Sequence, residues 1–350
     1  MAFSYNNIGN VKNTMGNYAE ALSYYVKGLE IRKQSLPPNR THLAHCYNNI
    51  GVVHAKMGNN PEALLFHEKA LEIRQESLPP NHPDLAHSYG NIGSVLHSMI
   101  NYSKALSFYE KALEIQQQSR PANHPDLAHS YGNIGLVHDS MGNYPKALSF
   151  HGKALEIWQQ SVPPNCPQLA GSYNNIGVVH DCMGAYVEAL SFHKKALEVQ
   201  QQSLPPSHPD LANSYNNIGN VHNHMVNYPE ALSFHEKALE IQHQSLPANH
   251  PDLADSCNNI GVVHNNMGNY PKALSFHERA LKIREQSLTS NHPELASSYH
   301  NIGEVHRNMG NYSKARTFYE HAIQIGEKLL PWNHFELQKY RNDLAHVNNK

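Results

Sequence analysis

The sequence predicts an all-α chain, a solenoid of antiparallel helix pairs. Three observations lead there. Glycines at 9, 51, 93, 135, 177, 219, 261 and 303 are each separated by 42 residues. Whole phrases recur on the same period: HPDLAHSYGNIG at 82–93 and 124–135, and YNNIGVVH at 47–54 and 173–180. Within each period, apolar residues return at steps of three and four, the spacing of one helical face. A chain of 350 residues is near the upper size for one compact core, and these repeats give it growth by repetition instead.

Each repeat reads as two amphipathic helices. In the first, Leu85, Tyr89, Ile92, Val95 and Leu96 form the apolar stripe. Its start has Pro83 and Asp84 in the first turn, where a missing N–H costs nothing and a carboxylate meets the positive end of the helix dipole. Its end is a Met-Gly-Asn signal in most repeats. Gly58, Gly142, Gly184, Gly268 and Gly310 suit a left-handed C′ position, and Asn59, Asn143, Asn269 and Asn311 are expected to cap the next helix. The second helix, 229–242 for example, carries Ala231, Leu232, Phe234, Ala238, Leu239 and Ile241 as its buried stripe. Prolines at 79–80 and 205–206 then stop it.

Residues 1–331 thus divide into eight 42-residue hairpins. Met1 falls inside the first helix of the first of them, so that hairpin is expected to be truncated at its N-terminus. Residues 332–350 read as one further first helix, in which Leu344, Ala345 and Val347 replace the Ile-Gly-x-Val phrase. Lys339, Arg341, Asp343 and Lys350 make it polar, the character of a capping helix.

Composition narrows the function. Lys plus Arg number 27 against 29 Asp plus Glu, so there is no basic stripe for a phosphate backbone, and nucleic acid is not an expected partner. No apolar run approaches the ~20 residues of a membrane span, and the opening MAFSYNNIGN lacks the basic and apolar regions of a signal peptide. The expected location is cytoplasmic, without membrane insertion. Cys46, Cys166, Cys182 and Cys257 form no CxxC and fall at different places in the repeat, which points to reduced structural thiols.

Histidine, at 27 residues, raises the question of a metal. Equivalent rings on neighbouring repeats are roughly 10 Å apart, too far to share a zinc at ~2 Å bonds. No HExxH occurs, His222 and His224 point apart on their helix, and the histidines of HP dipeptides, including His82 and His124, read as turn residues at helix starts. The Met at 15, 57, 99, 141, 183, 225, 267 and 309 reads as a gap-filler at the hairpin. No metal, cofactor or catalytic residue is assigned: no nucleophile-base or phosphate-loop signature stands clear of the repeat, and a residue multiplied eight times is architectural.

The pattern of an aromatic, an aliphatic-Gly pair, Ala, an aromatic and Ala, here Tyr47, Ile50, Gly51, Ala63, His67 and Ala70, resembles the tetratricopeptide repeat. The 42-residue period, NN-I-G and the L-x-x-x-H-P-D linker look most like the repeat domain of kinesin light chains and nephrocystin-like proteins. The resemblance covers essentially the whole chain and implies a right-handed superhelix with a concave groove lined by the first helices. One departure is His54, His138, His180, His222, His264 and His306, where the family more often has Tyr. Another is the lack of a heptad coiled coil, so a link to a cytoskeletal motor rests on resemblance only.

One ladder points to function. Asn49, Asn91, Asn133, Asn175, Asn217, Asn259 and Asn301, with Asn7 before them, recur in every repeat. Asn is a poor interior helix residue, but its amide both donates and accepts, which suits a grip on the backbone of an extended peptide. Bonding between neighbouring repeats is the equal alternative, because a buried amide must be paired somewhere. Asn48, Val52, Asp139, Asn174, Val178, Asp181, Asn223, Asn265, Glu304 and Arg307 share the expected groove. Cations are scarce there. The Lys/Arg clamp that related domains use for acidic chaperone tails is not legible, and a largely neutral peptide fits better. The expected function is a non-enzymatic scaffold that binds an extended peptide or partner protein. The alternatives are a kinesin-light-chain-like cargo adaptor, or the repeat part of a larger enzyme whose catalytic domain lies upstream.

Overall fold

The computed structural model describes every residue except 36–39, 289, 291, 331 and 333, together with the side chain of Leu329. The expected boundary at 331 lies outside the described residues. All elements are helices, gathered in two compact bodies, residues 1–164 and 165–350. In the first body the first helices are α1 (Ala2–Thr14), α3 (Arg40–Lys56), α5 (Pro83–Ser98) and α7 (Pro125–Ser140). Their hairpin partners are α2 (Tyr18–Gln34), α4 (Asn60–Ser77), α6 (Tyr102–Ser119) and α8 (Tyr144–Ser161). The second body has first helices α9 (Pro167–Cys182), α11 (Pro209–His224), α13 (Pro251–Asn266) and α15 (Pro293–Asn308), paired with α10 (Tyr186–Ser203), α12 (Tyr228–Ser245), α14 (Tyr270–Ser287) and α16 (Tyr312–Leu329). It ends on α17 (Phe335–Asn348).

The hairpin turn follows from backbone hydrogen bonding. After α3, the Asn59 N–H bonds the His54 carbonyl at 2.9 Å and the Gly58 N–H bonds the Ala55 carbonyl at 3.0 Å, with Gly58 at φ 76°. These paired bonds close a helix end only if the C′ residue is left-handed. Repeats three and six place Ile100 (φ 61°) and Val226 (φ 64°) there, where the left-handed region costs a branched residue roughly 1–2 kcal/mol.

The expected caps need correction. Asn59, Asn143, Asn269 and Asn311 stand at the N-cap positions, but their side chains make no capping bond. At ψ near 60–66° rather than an extended value, the side chain does not turn onto the first free N–H groups. Histidine does the capping, at the start of the other helix. The ring Nδ1 of His82, His124, His208, His250 and His292 accepts from the N–H two residues on, at 3.1–3.3 Å.

The glycine ladder is explained by one contact. The ring at 25, 67, 109, 151, 193, 235, 277 or 319 of each second helix lies flat against the ladder glycine of its own first helix, and a Cβ there would stand 2.6–2.9 Å from a ring atom. Five of these rings are His67, His151, His193, His235 and His277, all buried; the rest are Tyr25, Tyr109 and Tyr319. The second histidine ladder packs differently. His54, His138, His180, His222, His264 and His306 stack on the phenylalanine at 66, 150, 192, 234, 276 and 318, with centroids 5.4–5.9 Å apart.

Helix α17 buries Tyr340 against Ala296 and Ala322, Val347 against Ala315 and Tyr319, and Leu337 beside Gly326. Each fully buried side chain of this kind contributes about 1.5–3 kcal/mol. Ending the chain before α17 is expected to expose that surface and promote association, read by light scattering. A truncated chain that stays monomeric with an unchanged melting point would contradict this.

Candidate functional site

The first-helix face is built from polar bonds between neighbouring repeats. In each described pair a residue reaches one 43 positions along the chain. Nδ2 of Asn49 donates to Oδ1 of Asn6 at 3.3 Å, Asn91 to Asn48 at 2.8 Å, and Asn301 to Asn258 at 2.8 Å. A second band nearer the hairpin turns joins His97 to Ser140 (2.9 Å), Asp181 to His224 (2.8 Å), Asn266 to Asn223 (3.0 Å) and Asn308 to Asn265 (3.1 Å).

The ladder splits in two. Asn49, Asn91 and Asn301 are spent on the neighbouring repeat. Asn133, Asn217 and Asn259 are half-buried and make no side-chain hydrogen bond among the described residues; Asn175, on α9, is half-buried as well. The cause lies one residue before each ladder Asn. Asn174 and Asn216 turn Oδ1 onto their own repeat's second helix, where Nδ1 of His193 and His235 donates to it at 2.9 Å in both. Their Nδ2 groups donate to Ser214 (3.0 Å) and Ser256 (2.7 Å), which donate in turn to Gln200 and Gln242 at 2.7 Å. Asn217 and Asn259 make no bond to these carboxamides, which are held at both ends; Asn258, whose Nδ2 bonds no serine among the described residues, accepts both from Nδ1 of His277 at 3.1 Å and from Asn301. For Asn133 the corresponding residue is Gly90, with no carboxamide at all.

Burial sets the electrostatics. Desolvation pushes His67, His151, His193, His235 and His277 down from 6.5 to about 4, so these rings are neutral in the fold. Burial also lifts the Asp139 carboxyl above its usual range. The cations of α1, α3 and α15 are each engaged: Lys12 with Glu20 at 2.6 Å, Arg40 with Glu76 at 2.6 Å, Lys56 over the Tyr18 ring, and Arg307 with Glu304 at 2.7 Å and Asp343 at 3.6 Å. His300, Glu304 and Asp343 come together closely enough for a metal. His300 bonds Asp343 at 2.8 Å, Tyr319 donates to Glu304, and Arg307 faces both carboxylates, so the cluster is an ion network that ties α17 to α15 and α16.

A correlation legible in the sequence was missed. Where the ladder ring is Tyr, the residue after the ladder glycine is polar: Asn10 with Tyr25, Ser94 with Tyr109 and Glu304 with Tyr319, each bonded to the phenol. Where the ring is His, that residue is Val52, Leu136, Val178 or Val262, with Asn220 the one polar case. A phenol reaches the groove surface and needs a partner there; an imidazole stops short of it.

In each body the tandem helical hairpins present a first-helix face that is polar, half-buried and partly unpaired. The chain matches the tetratricopeptide repeat family over residues 1–76, 47–118, 84–160, 126–202, 168–244, 210–286 and 252–328, and it belongs to that family. Repeats of this family are typical scaffolds for protein-protein interaction. No curated protein matches the chain. Among solved structures it is similar to the apo form of RapI, at 17% identity over 81% of this chain and 97% of that one, with a TM-score of 0.64. It is similar also to BtubC (BKLC) from P. vanneervenii, at 21% identity over 65% of this chain and 91% of that one, TM-score 0.56. A third is a putative kinesin light chain of Podosopora anserina with nearly identical TPR-like repeats, at 20% identity over 59% and 97%, TM-score 0.48. At these identities the likeness is one of fold. Among the described residues no helix is long and apolar enough to cross a membrane.

Proposed function

We propose that this chain is a non-enzymatic scaffold that binds an extended, largely neutral peptide or partner segment along the first-helix face. The observation that carries the reading is the split ladder: Asn133, Asn217 and Asn259 keep their amides unspent on a half-buried surface. These amides still reach solvent, so a ligand backbone would exchange their water for a direct bond. The engaged first-helix cations favour a ligand without many carboxylates.

The two halves of the ladder give opposite expectations. Asn217→Ala and Asn259→Ala should each weaken binding of a peptide selected on the full chain by roughly 0.5–1.5 kcal/mol, with the melting point little changed. Asn91→Ala removes the partner of Asn48 and should lower the melting point with less effect on affinity. Calorimetric affinity and thermal midpoints on the same three variants decide it. Unchanged affinity in both Asn217→Ala and Asn259→Ala would remove these amides from the binding surface and overturn the reading.

A further inference from the structure

Two glycines on the first-helix face are not required by the fold. Gly90 and Gly132 lie inside α5 and α7, and a Cβ at either would meet nothing within 4 Å. Inside a helix each costs about 0.8–1.0 kcal/mol against Ala, so the sequence carries a penalty there without a packing reason. The ladder glycines three residues on are the opposite case, pressed against a ring.

The equivalent of Gly132 in the next three repeats is Asn174, Asn216 and Asn258. Each turns a carboxamide oxygen to the ring below it, accepting from Nδ1 of His193, His235 and His277 at 2.9, 2.9 and 3.1 Å. In the fourth repeat the ring is present and the carboxamide is not. His151 is 1% exposed, its Nε2 is buried without a partner, and its Nδ1 bonds to no described group. Asn133, beside Gly132, also lacks an acceptor because position 90 is glycine. Leu136, one turn after Gly132, is 39% exposed and offers apolar surface at the same place.

We propose that the open space beside Gly132 is a subsite for an asparagine or glutamine side chain of the bound peptide, whose carboxamide oxygen accepts from Nδ1–H of His151. The inference rests on the groove reading above and names one specificity position within it. The chemistry is copied from the chain itself, since the ligand group takes the part that Asn174, Asn216 and Asn258 play in their own repeats. A carboxylate is disfavoured because it would bury a charge beside a neutral ring with no cation to pair it. The Asn133 amide is then free to donate to a carbonyl of the ligand backbone.

The test is a titration of the full chain with N-acetyl-asparagine N-methylamide, followed through the ring-nitrogen NMR signals of His151, with the leucine and aspartate analogues in parallel. A saturable shift of Nδ1 with the asparagine probe, at least tenfold weaker with the other two, is expected. In Gly132→Asn the Nδ1 signal should already sit at the bound position and ignore the probe. Gly132→Val, which fills the space without a carboxamide, should abolish the response without moving Nδ1 to that position. No shift, equal responses to the three probes, or an undiminished response in Gly132→Asn would overturn the proposal. Peptides selected on the full chain separate this from the groove reading. Binders that need Asn217 and Asn259 but show no Asn or Gln preference and tolerate Gly132→Asn would sink the subsite and keep the groove. A specific probe response without any longer binder would do the reverse.

Discussion

Lowering the pH from about 7.5 to about 5.5 is expected to remove several kcal/mol of folding stability and to drop the melting point steeply. His67, His151, His193, His235 and His277 have folded values near 4 against an ordinary 6.5, all through burial. A depressed histidine value means that the unfolded chain takes up protons first. Stability is therefore full above 6.5, falls as pH drops below it, and stops falling near 4. At pH of about 5.5 each ring costs on the order of 1 kcal/mol, and the five add because they sit in separate repeats. Neighbours modulate this: Arg74 pushes His67 further down, Arg284 does the same to His277, and Asp181 partly offsets the burial of His193. His224 works the other way, since its bond to Asp181 raises it and stabilises the fold in acid. One such ring does not offset five. Equal thermal midpoints at the two pH values would show that the ladder rings are charged or solvated in the folded chain.

The second large effect is expected at the ladder glycines. In Gly219→Ala the new methyl would stand 2.7 Å from Cε1 of His235, a side chain with no exposed surface and with Nδ1 tied to Asn216. The ring cannot retreat without breaking that bond, and overpacking of this kind costs about 1–3 kcal/mol before the lost hydrogen bond is counted. Gly132→Ala, in the same kind of helix but with open space around it, should stabilise by up to about 1 kcal/mol. Denaturant unfolding of both variants checks the contrast. The double variant Gly219→Ala with His235→Ala should recover part of the loss, because the clash needs both side chains. Additive losses would place the damage elsewhere.

The fold was legible because its signal repeats. The period, the helical stripes and the Met-Gly-Asn turn each recur, so the hairpins and their left-handed glycines could be read directly. The expected Asn caps do not form because the N-cap backbone at Asn59 and its equivalents has a ψ from which the side chain does not turn inward. The sequence marks the capping histidines only as turn residues, since Nδ1 accepting from Asp84 N–H depends on ring orientation. For the candidate site, the sequence supplied the Asn ladder but not its division. A carboxamide at this position reaches the next repeat's Asn, as Asn48 does, its own repeat's ring, as Asn216 does, or both, as Asn258 does. Only side-chain geometry decides between them. The clue in the sequence is local, the glycines at 90 and 132 where five other repeats carry Asn and the eighth carries His300.

The central claim is that a ligand lies on the first-helix face, and photo-crosslinking tests it most directly. A benzophenone side chain placed at Leu136, on the exposed face of α7, and separately at Ser149, on the exposed side of α8, would be irradiated with a peptide selected on the full chain. Crosslinking from position 136 with little from 149 is the result expected. Efficient crosslinking from 149 and none from 136 would contradict the account and move the binding surface to the second helices.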